Sequence, residues 1–237
     1  MVGIVSAPGS ELNIGAEMAR LLFDAHAIQV RQDGAFILAA GWASPVYVDC
    51  RKLIGETDIR RRAVALALAY LQQKFGIELP FTKIVGAETA GIPWASWLAE
   101  ALDMPLLYVR KRPLGIGRDA QVEGGTVAGT RVLLVDDLAT DNTSKLAFAR
   151  GLRHAGAEVG DILVLFHNRA FPGGAERLAD NSLTLHALAN WDDVLRYDAA
   201  SPRLASPDRD LIELFLANPA MWSSEHMGRS ARPPKVP

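Results

Sequence analysis

The sequence contains a single cysteine, Cys50, among its 237 residues. One cysteine cannot form an internal disulfide, and it excludes a metal site built from several thiolates. The chain has no run of about 18 apolar residues, so we expect no transmembrane helix. Residues 1–10 lack a basic segment followed by an apolar core, and they therefore do not predict a secretory signal. The cytoplasm is the expected location.

The chain also lacks a strong charge of either sign, because its formal net charge is −2 and its pI is about 6.2. This balance argues against nucleic acid or an anionic membrane as the main partner. A site for a phosphorylated ligand would therefore depend on a local cluster of cations. The length fits one α/β domain with additions or two small domains.

Predicted strands and helices alternate along the chain. Helices are predicted at 11–30, 58–75, 91–102 and after 144, and strands at 35–38, 46–48, 83–86, 105–109, 131–135, 161–166 and 183–189. This order predicts an α/β fold with a mostly parallel central sheet flanked by helices. We expect a single domain over 1–220, with a small N-terminal hood at about 10–55. A flexible Ser/Arg/Pro-rich tail is predicted over 221–237.

The stretch RVLLVDDLATDNTSK, residues 131–145, carries the clearest signs of a ligand site. Its apolar start predicts a parallel strand covered on both faces, with Asp136 and Asp137 where that strand should end. Residues 140–144 then precede a helix. Ligands bind beyond the carboxyl ends of such strands, and a helix N-terminus there suits a phosphate. We predict that the acids hold the hydroxyls of a sugar and the loop its phosphate; a capping or solubility role for the acids is the alternative.

Three further stretches place polar or basic side chains among small residues. They are AAGWASPVYVDCRKL at 39–53, VGAETAGIPWASWLAE at 85–100 and YVRKRPLGIGRDAQVEGG at 108–125. An ordinary hairpin, a simple strand-to-helix turn and a solvated charged loop are their alternative interpretations. The third stretch lacks periodicity, and a loop of that length inside a compact domain is usually functional or disordered.

Together the four stretches resemble orotate phosphoribosyltransferases, which are type I phosphoribosyltransferases. The likeness in order and spacing runs from about residue 35 to 170, and NWDDVL and FLANPAMWSS near the end resemble the tail of some bacterial members. The resemblance implies the type I phosphoribosyltransferase fold and the transfer of 5-phosphoribose from phosphoribosyl pyrophosphate (PRPP) to orotate, in pyrimidine nucleotide biosynthesis. It implies Mg²⁺ carried mainly on PRPP oxygens, near Asp136 and Asp137, with few protein ligands and none of them predicted to be direct. It also implies a homodimer in which loop 110–125 reaches the partner's site.

The resemblance further implies a role for each candidate residue. Asp136 and Asp137 are implied at the ribose hydroxyls. The residues implied at the 5′-phosphate are Thr140, Asp141, Asn142, Thr143 and Ser144. Those implied at the pyrophosphate are Glu88, Thr89 and Ala90, together with the loop cations Arg110, Lys111 and Arg118. Those implied at orotate are Ser44 and Tyr47 of the hood and Arg169, whose guanidinium would pair with the carboxylate.

The departures from the family pattern concentrate at the site. Leu114 and Ile116 stand where the catalytic loop commonly carries Lys and His, and 37–40 is uncharged where a lysine usually occurs. Losing one stabilising group of this type costs on the order of 100-fold in rate. The phosphate loop has no glycine, although Asn142 can adopt left-handed backbone geometry. Asp141 adds a repulsion of roughly 1 to 4 kcal/mol per charge pair at about 4 Å.

Two functional hypotheses follow from this pattern. The first is an active orotate phosphoribosyltransferase. The second is a divergent, catalytically weak or inactive paralogue with a ligand-binding or regulatory role, which the departures at residues 114, 116 and 141 favour. Transfer to a different base is a third possibility, less favoured because the hood stretch resembles those that hold a pyrimidine.

Overall fold

The computed structural model describes residues 12–115 and 121–229. The strands near the N-terminus are β1 (Ile28–Val30), β2 (Phe36–Ile37), β3 (Ala43–Ser44) and β4 (Val46–Val48). The later strands are β5 (Lys83–Ala87), β6 (Leu106–Val109), β7 (Val122–Glu123), β8 (Arg131–Ala139), β9 (Glu158–His167) and β10 (Thr184–Asn190). The helices are α1 (Ile14–Asp24), α2 (Lys52–Gly55), α3 (Thr57–Phe75), α4 (Gly91–Leu102), α5 (Thr143–His154), α6 (Gly174–Ala179), α7 (Trp191–Ala200), α8 (Ser206–Ala217) and α9 (Pro219–Glu225).

The later strands form one sheet in the order β10–β9–β8–β5–β6–β7. Strand β7 is antiparallel to β6, and the other neighbouring strands are parallel. On β8, Leu133 and Val135 face the core on one side of the sheet, whereas Val132 and Leu134 face the core on the other. Because successive side chains of a strand point to opposite faces, a continuous apolar run covers both. The prediction of a mostly parallel α/β sheet flanked by helices is confirmed.

The first predicted helix is shorter in the structure than expected. The helix predicted over 11–30 ends at Asp24, and Ile28–Val30 instead pairs with Val46–Val48 as the antiparallel strands β1 and β4. A turn with a positive φ of 50° at His26 separates the helix from this strand. Helix α3 lies close to its prediction and ends at Gly76, whose φ of 82° suits a glycine. Among the described residues, no helix is both long and apolar enough to cross a membrane.

The hood consists of two small antiparallel sheets, β1 with β4 and β2 with β3. The C-terminal segment packs on it, and residues 221–225, within the stretch predicted to be a flexible tail, belong to helix α9. Helix α9 contacts β3, and its Trp222 and Ser223 are buried. The side chain of Trp222 packs edge-on against Phe215. Burial of this indole and hydroxyl orders a segment that composition alone describes as polar.

Candidate active site

Asp136 and Asp137 lie within strand β8. We expected them just after the strand, but β8 continues to Ala139. The reason is its neighbour β9, which continues the pairing through Asp136 with Val164 and Ala139 with His167. This ladder fixes the backbone of the acids at the carboxyl edge of the sheet. The site therefore begins on a rigid strand, which limits how far either carboxylate can move.

Lys145 is the partner of Asp136, and sequence reasoning did not single it out. Its Nζ lies 2.6 Å from Asp136 Oδ2 and also donates to the carbonyl oxygen of Leu138 at 2.6 Å. Both side chains are buried, with exposed fractions of 3% for Lys145 and 10% for Asp136. Its position in the first turn of α5, directly before the buried Leu146, was the available signal. A lysine there neutralises Asp136, the buried member of two adjacent acids.

Asp137 is the carboxylate left for a ligand. Burial, followed by the charge of the neighbouring Asp136, raises its pKa from 3.8 to about 7, although Lys145 opposes the shift. The pair thus divides into one carboxylate bound by a cation and one that titrates near neutral pH. Such a group accepts hydrogen bonds from sugar hydroxyls once it is ionised.

The loop that follows β8 turns sharply into α5. Asn142 adopts left-handed geometry with φ 64°, as the sequence suggested. The buried carboxylate of Asp141 accepts hydrogen bonds from Thr143 N at 3.1 Å and Thr143 Oγ1 at 3.0 Å. Arg177 Nη1 donates to the same Thr143 hydroxyl at 3.3 Å. Asp141 therefore accepts from the first backbone N–H of α5, ahead of the N-cap residue Asn142, and Arg177 places a compensating positive charge nearby.

An open cavity of about 490 Å³ lies between this loop and the hood. Its lining consists of Leu38, Ala39, Ala40, Leu138, Thr140, Asp141, Asn142, Thr143, Ser144, Ala147 and Arg229. All five residues predicted at the 5′-phosphate thus border one cleft. The first-turn N–H groups of α5 also lie at this end, where a helix leaves them without an intrahelical acceptor. The arrangement suits a phosphate that is held by hydroxyls and backbone donors.

The turn predicted at the pyrophosphate connects β5 to α4. Glu88 and Thr89 are joined by a cis peptide bond, and Ala90 precedes the first residue of α4. A Cβ at Gly91 would collide with the carbonyl oxygen of Val135 and lie 2.9 Å from the Cα of Asp136. Glycine at this position therefore lets the turn approach the acid-bearing end of β8.

The base of the basic loop is fixed by its own hydrogen bonds. Arg110 Nε lies 2.9 Å from Glu123 Oε1, and the guanidinium also packs over the Tyr108 ring. The backbone N–H of Lys111 donates to Glu88 Oε2 at 2.7 Å, which ties the loop to the turn after β5. Leu114 is exposed. Two predicted positions, Ile116 and Arg118, lie outside the described residues.

The two hood candidates occupy different environments. Ser44 is fully buried, and its hydroxyl donates to Val46 O at 2.7 Å and accepts from Val46 N at 3.2 Å. This hydroxyl holds the hairpin rather than facing the cleft. The ring of Tyr47 packs 5.7 Å from that of Phe36, and burial raises the pKa of its phenol. The field of Asp137 contributes to that pKa, so the hydroxyl lies within electrostatic range of the acid pair.

Arg169 lies at the edge of a second, smaller cavity of about 220 Å³, next to Trp191 and Asp192. It has positive φ, and its guanidinium is exposed and 3.8 Å from Asp192 Oδ2. The neighbouring His167, at the end of β9, is half-buried. Burial lowers its pKa to about 4, with Arg169 and Lys145 acting in the same direction. His167 is thus neutral near pH 7 and adds no charge to the site.

No group of three His, Cys, Asp or Glu side chains in 12–115 or 121–229 could hold a metal ion. Asp136 is engaged by Lys145, so Asp137 is the carboxylate of the pair that could contribute to a cation. Mg²⁺ is commonly bound by one or two carboxylates together with substrate phosphates and water. The described residues fit that mode of binding, and a cage made wholly of protein ligands is not formed by them.

Relatives with curated names cover most of the chain. The orotate phosphoribosyltransferase of Ruegeria sp. is 41% identical over 217 residues, which are 92% of this chain and 95% of that protein. The one from Dinoroseobacter shibae is 42% identical over 215 residues, 89% of this chain and 95% of its own. No protein-family model matches the chain. Nothing in these similarities favours an inactive paralogue.

Solved structures agree with the curated relatives. The crystal structure of orotate phosphoribosyltransferase from Aeropyrum pernix is 35% identical, with a TM-score of 0.64, and the match covers 76% of this chain and 97% of that one. Leishmania donovani UMP synthase is 28% identical with a TM-score of 0.71. The match covers 85% of this chain but 42% of that one, so this chain corresponds to less than half of the larger protein.

Proposed function

The chain belongs to the orotate phosphoribosyltransferase family, and from this premise we propose how its residues act on PRPP and orotate. The product is orotidine 5′-phosphate, a pyrimidine nucleotide, and the proposed compartment is the cytoplasm. In the reaction the bond from ribose C1 to pyrophosphate breaks, and its electron pair leaves with the pyrophosphate. A ring nitrogen of orotate forms the new bond to C1, and its proton is released to the departing pyrophosphate or to water. The observation that carries the proposal is an acid pair beside a helix N-terminus at the carboxyl edge of the sheet.

Asp137 holds the ribose hydroxyls and stabilises positive charge on the sugar ring as the C1 bond breaks. Support comes from its place beside Asp136, whose charge Lys145 already neutralises at 2.6 Å. The residues at 140–144 border the 5′-phosphate, with the first turn of α5 donating to it. Mg²⁺ on the PRPP oxygens neutralises pyrophosphate charge when bound, and Asp137 is its proposed protein contact.

The turn Glu88–Ala90 and the loop cations bind the leaving pyrophosphate. We place Lys111 there because its backbone is tied to Glu88 at 2.7 Å. Arg110, whose guanidinium pairs with Glu123, would have to exchange that partner for pyrophosphate when the loop closes. Preorganised cations near developing charge are among the larger contributions to catalysis. For orotate we propose Tyr47 as a ring contact and Arg169 as the partner of the carboxylate.

The decisive experiment mixes purified protein, Mg²⁺, PRPP and orotate, and follows the loss of orotate absorbance. We expect turnover, and we expect Asp136→Asn together with Asp137→Asn to reduce it by at least about 100-fold. Circular dichroism should show that this variant remains folded. A folded wild-type protein with no turnover above the double variant would overturn the proposed function.

A homodimer is also proposed, with loop 110–125 of one protomer completing the site of its partner. The exposed positions 111–114 support it, because a single chain leaves these side chains in solvent. Sedimentation should give twice the chain mass. Mixing the Asp136→Asn, Asp137→Asn variant with Lys111→Ala should restore part of the activity, because hybrid dimers then contain one intact site. Activity no greater than the sum of the two separate variants would contradict a shared site.

A further inference from the structure

The C-terminal segment, residues 219–229, is anchored on the hood at the turn between β2 and β3. The hydroxyl oxygen of Ser223, which is fully buried, accepts a hydrogen bond from Ala43 N at 2.9 Å. Gly228 packs against the same strand so closely that a Cβ there would collide with Ala43 N and Ser223 Oγ. The segment therefore has a fixed position as it leaves α9, and the residue that follows Gly228 is directed by it.

That residue is Arg229, which lies over the turn of the β2–β3 hairpin. Its backbone N–H donates to Gly41 O at 2.9 Å. Its side chain runs along the same glycine, because a Cβ at Gly41 would lie 2.9 Å from Arg229 Nε and 3.2 Å from Cδ. Gly41 also has a φ of 85°, which a side chain would strain. The hairpin turn thus leaves room for the arginine at the mouth of the cleft.

The cleft needs a positive charge at this place. Of the described residues that line it, Arg229 is the one cation, and Asp141 is the one anion. The hood residues opposite the loop, Leu38, Ala39 and Ala40, carry no charge. The carboxylate of Asp141 is itself negative, so it adds to the charge of a phosphate rather than offsetting it. A guanidinium offers several donors in a planar fork that fits phosphate oxygens.

We propose that Arg229 binds the 5′-phosphate of the phosphoribosyl substrate, so that the C-terminal segment supplies a cation that the loop and hood lack. The inference rests on the proposed function for the identity of the substrate. Its physical basis is the cleft shared by Arg229 and residues 140–144. The same contact would draw the hood toward the loop, since the backbone of Arg229 is bonded to Gly41.

The test compares wild type, Arg229→Ala and Arg229→Lys by kinetics and by calorimetry with ribose 5-phosphate. We expect Arg229→Ala to raise the KM for PRPP about 10-fold, the lower end for a hydrogen bond to a charged group. The kcat and the KM for orotate should stay within about twofold, because the lost contact is equal in ground and transition states. Ribose 5-phosphate binding should weaken by a similar factor, and Arg229→Lys should retain part of both.

Lys74→Ala is the matched control. It removes one exposed positive charge near the end of α3, at the edge of the sheet where β5 begins. Added salt should weaken ribose 5-phosphate binding less in Arg229→Ala than in wild type or the control. A purely structural role would instead lower the melting temperature and raise the KM for orotate as well. If ribose 5-phosphate binds wild type and Arg229→Ala equally, or binds neither, the inference is wrong. If wild type binds ribose 5-phosphate through Arg229 but shows no turnover of PRPP and orotate, only the proposed function is wrong.

Discussion

Two regions of the site are built in different ways: the acid end of β8, which we call the floor, and the hood side of the cleft with Arg229, which we call the wall. The acid end of β8 is made from one continuous stretch, in which Asp136 and Lys145 are nine positions apart and bonded at 2.6 Å. The opposite wall joins hood residues 38–41 to Arg229, which comes from the other end of the described chain. In the first, Asp136 is buried and neutralised by Lys145. The second presents an exposed cation to the cleft.

This difference separates two physical requirements of the site. A rigid, dry floor needs buried charges that satisfy one another, since an unpaired buried charge costs several kcal/mol. A wall that admits and releases a phosphorylated substrate needs an accessible cation, whose interaction water partly screens. The floor should therefore respond to substitution mainly in stability and rate, and the wall mainly in affinity.

Among the substitutions in the floor, we expect Lys145→Met to lower the free energy of unfolding the most. This change leaves the carboxylate of Asp136 buried without its cation, and breaking such a pair typically costs about 3 to 5 kcal/mol. Urea unfolding at pH 8 should show a loss of that size. The companion variant Lys145→Met with Asp136→Asn should recover much of it, because no uncompensated charge remains. A single variant that loses less than about 1 kcal/mol would mean that the pair is solvated.

Much of the floor could be predicted from the sequence, because its information is local. The apolar run of β8, the acids, the helix after them and the left-handed Asn142 follow from pattern and backbone sterics. The continuation of β8 to Ala139 could not be predicted, because the pairing with β9 decides it. Lys145 was missed because lysine is rarely buried unless it is paired. Its partner becomes apparent only when α5 is placed on the sheet.

Most of the wall could not be predicted from the sequence, because its contacts join residues that are far apart in the chain. The segment 221–229 has the composition of a loose tail, yet Trp222 and Ser223 bury against the hood. No pattern in the chain relates Arg229 to Gly41. Residues 37–40 carry no charge, and the fold brings Arg229 next to this stretch from the C-terminal segment.

A further prediction for the floor concerns how stability and activity depend on the ionisation of Asp137. Its pKa in the folded protein is about 7, raised above the ordinary value of 3.8. The folded state therefore retains a proton that the unfolded chain releases between about pH 4 and pH 7. Stability should fall as pH rises through this window and level off above it. Meanwhile kcat/KM for PRPP should rise through about pH 7, because in the proposed function the ionised carboxylate binds the ribose and favours the positive ring.

Asp137→Asn isolates this contribution. Unfolding free energies of wild type and variant should be measured from pH 4 to pH 9. Their difference should shift in favour of the variant as pH rises to about 7 and then stay constant. Asp136→Asn should move the activity midpoint to lower pH, since Asp136 is the second-largest cause of the raised pKa. A difference between wild type and Asp137→Asn that does not change with pH would show that Asp137 is ionised throughout.

The smallest expected effect concerns Ser223, whose hydrogen bond with Ala43 N holds the C-terminal segment on the hood. Ser223→Ala removes the acceptor of the buried Ala43 N–H, which should cost about 1 to 3 kcal/mol and lower the melting temperature by roughly 2 to 4 °C for each kcal/mol. Ser224→Ala is the matched control, because its hydroxyl is exposed and donates to Met221 O at 2.8 Å, and the change should alter stability by less than about 0.5 kcal/mol. Loosening the anchor should also raise the KM for PRPP a few-fold, in the same direction as Arg229→Ala. Equal melting temperatures for the two serine variants would mean that the segment does not depend on this bond, and that the wall is held by the apolar contacts of Trp222 instead.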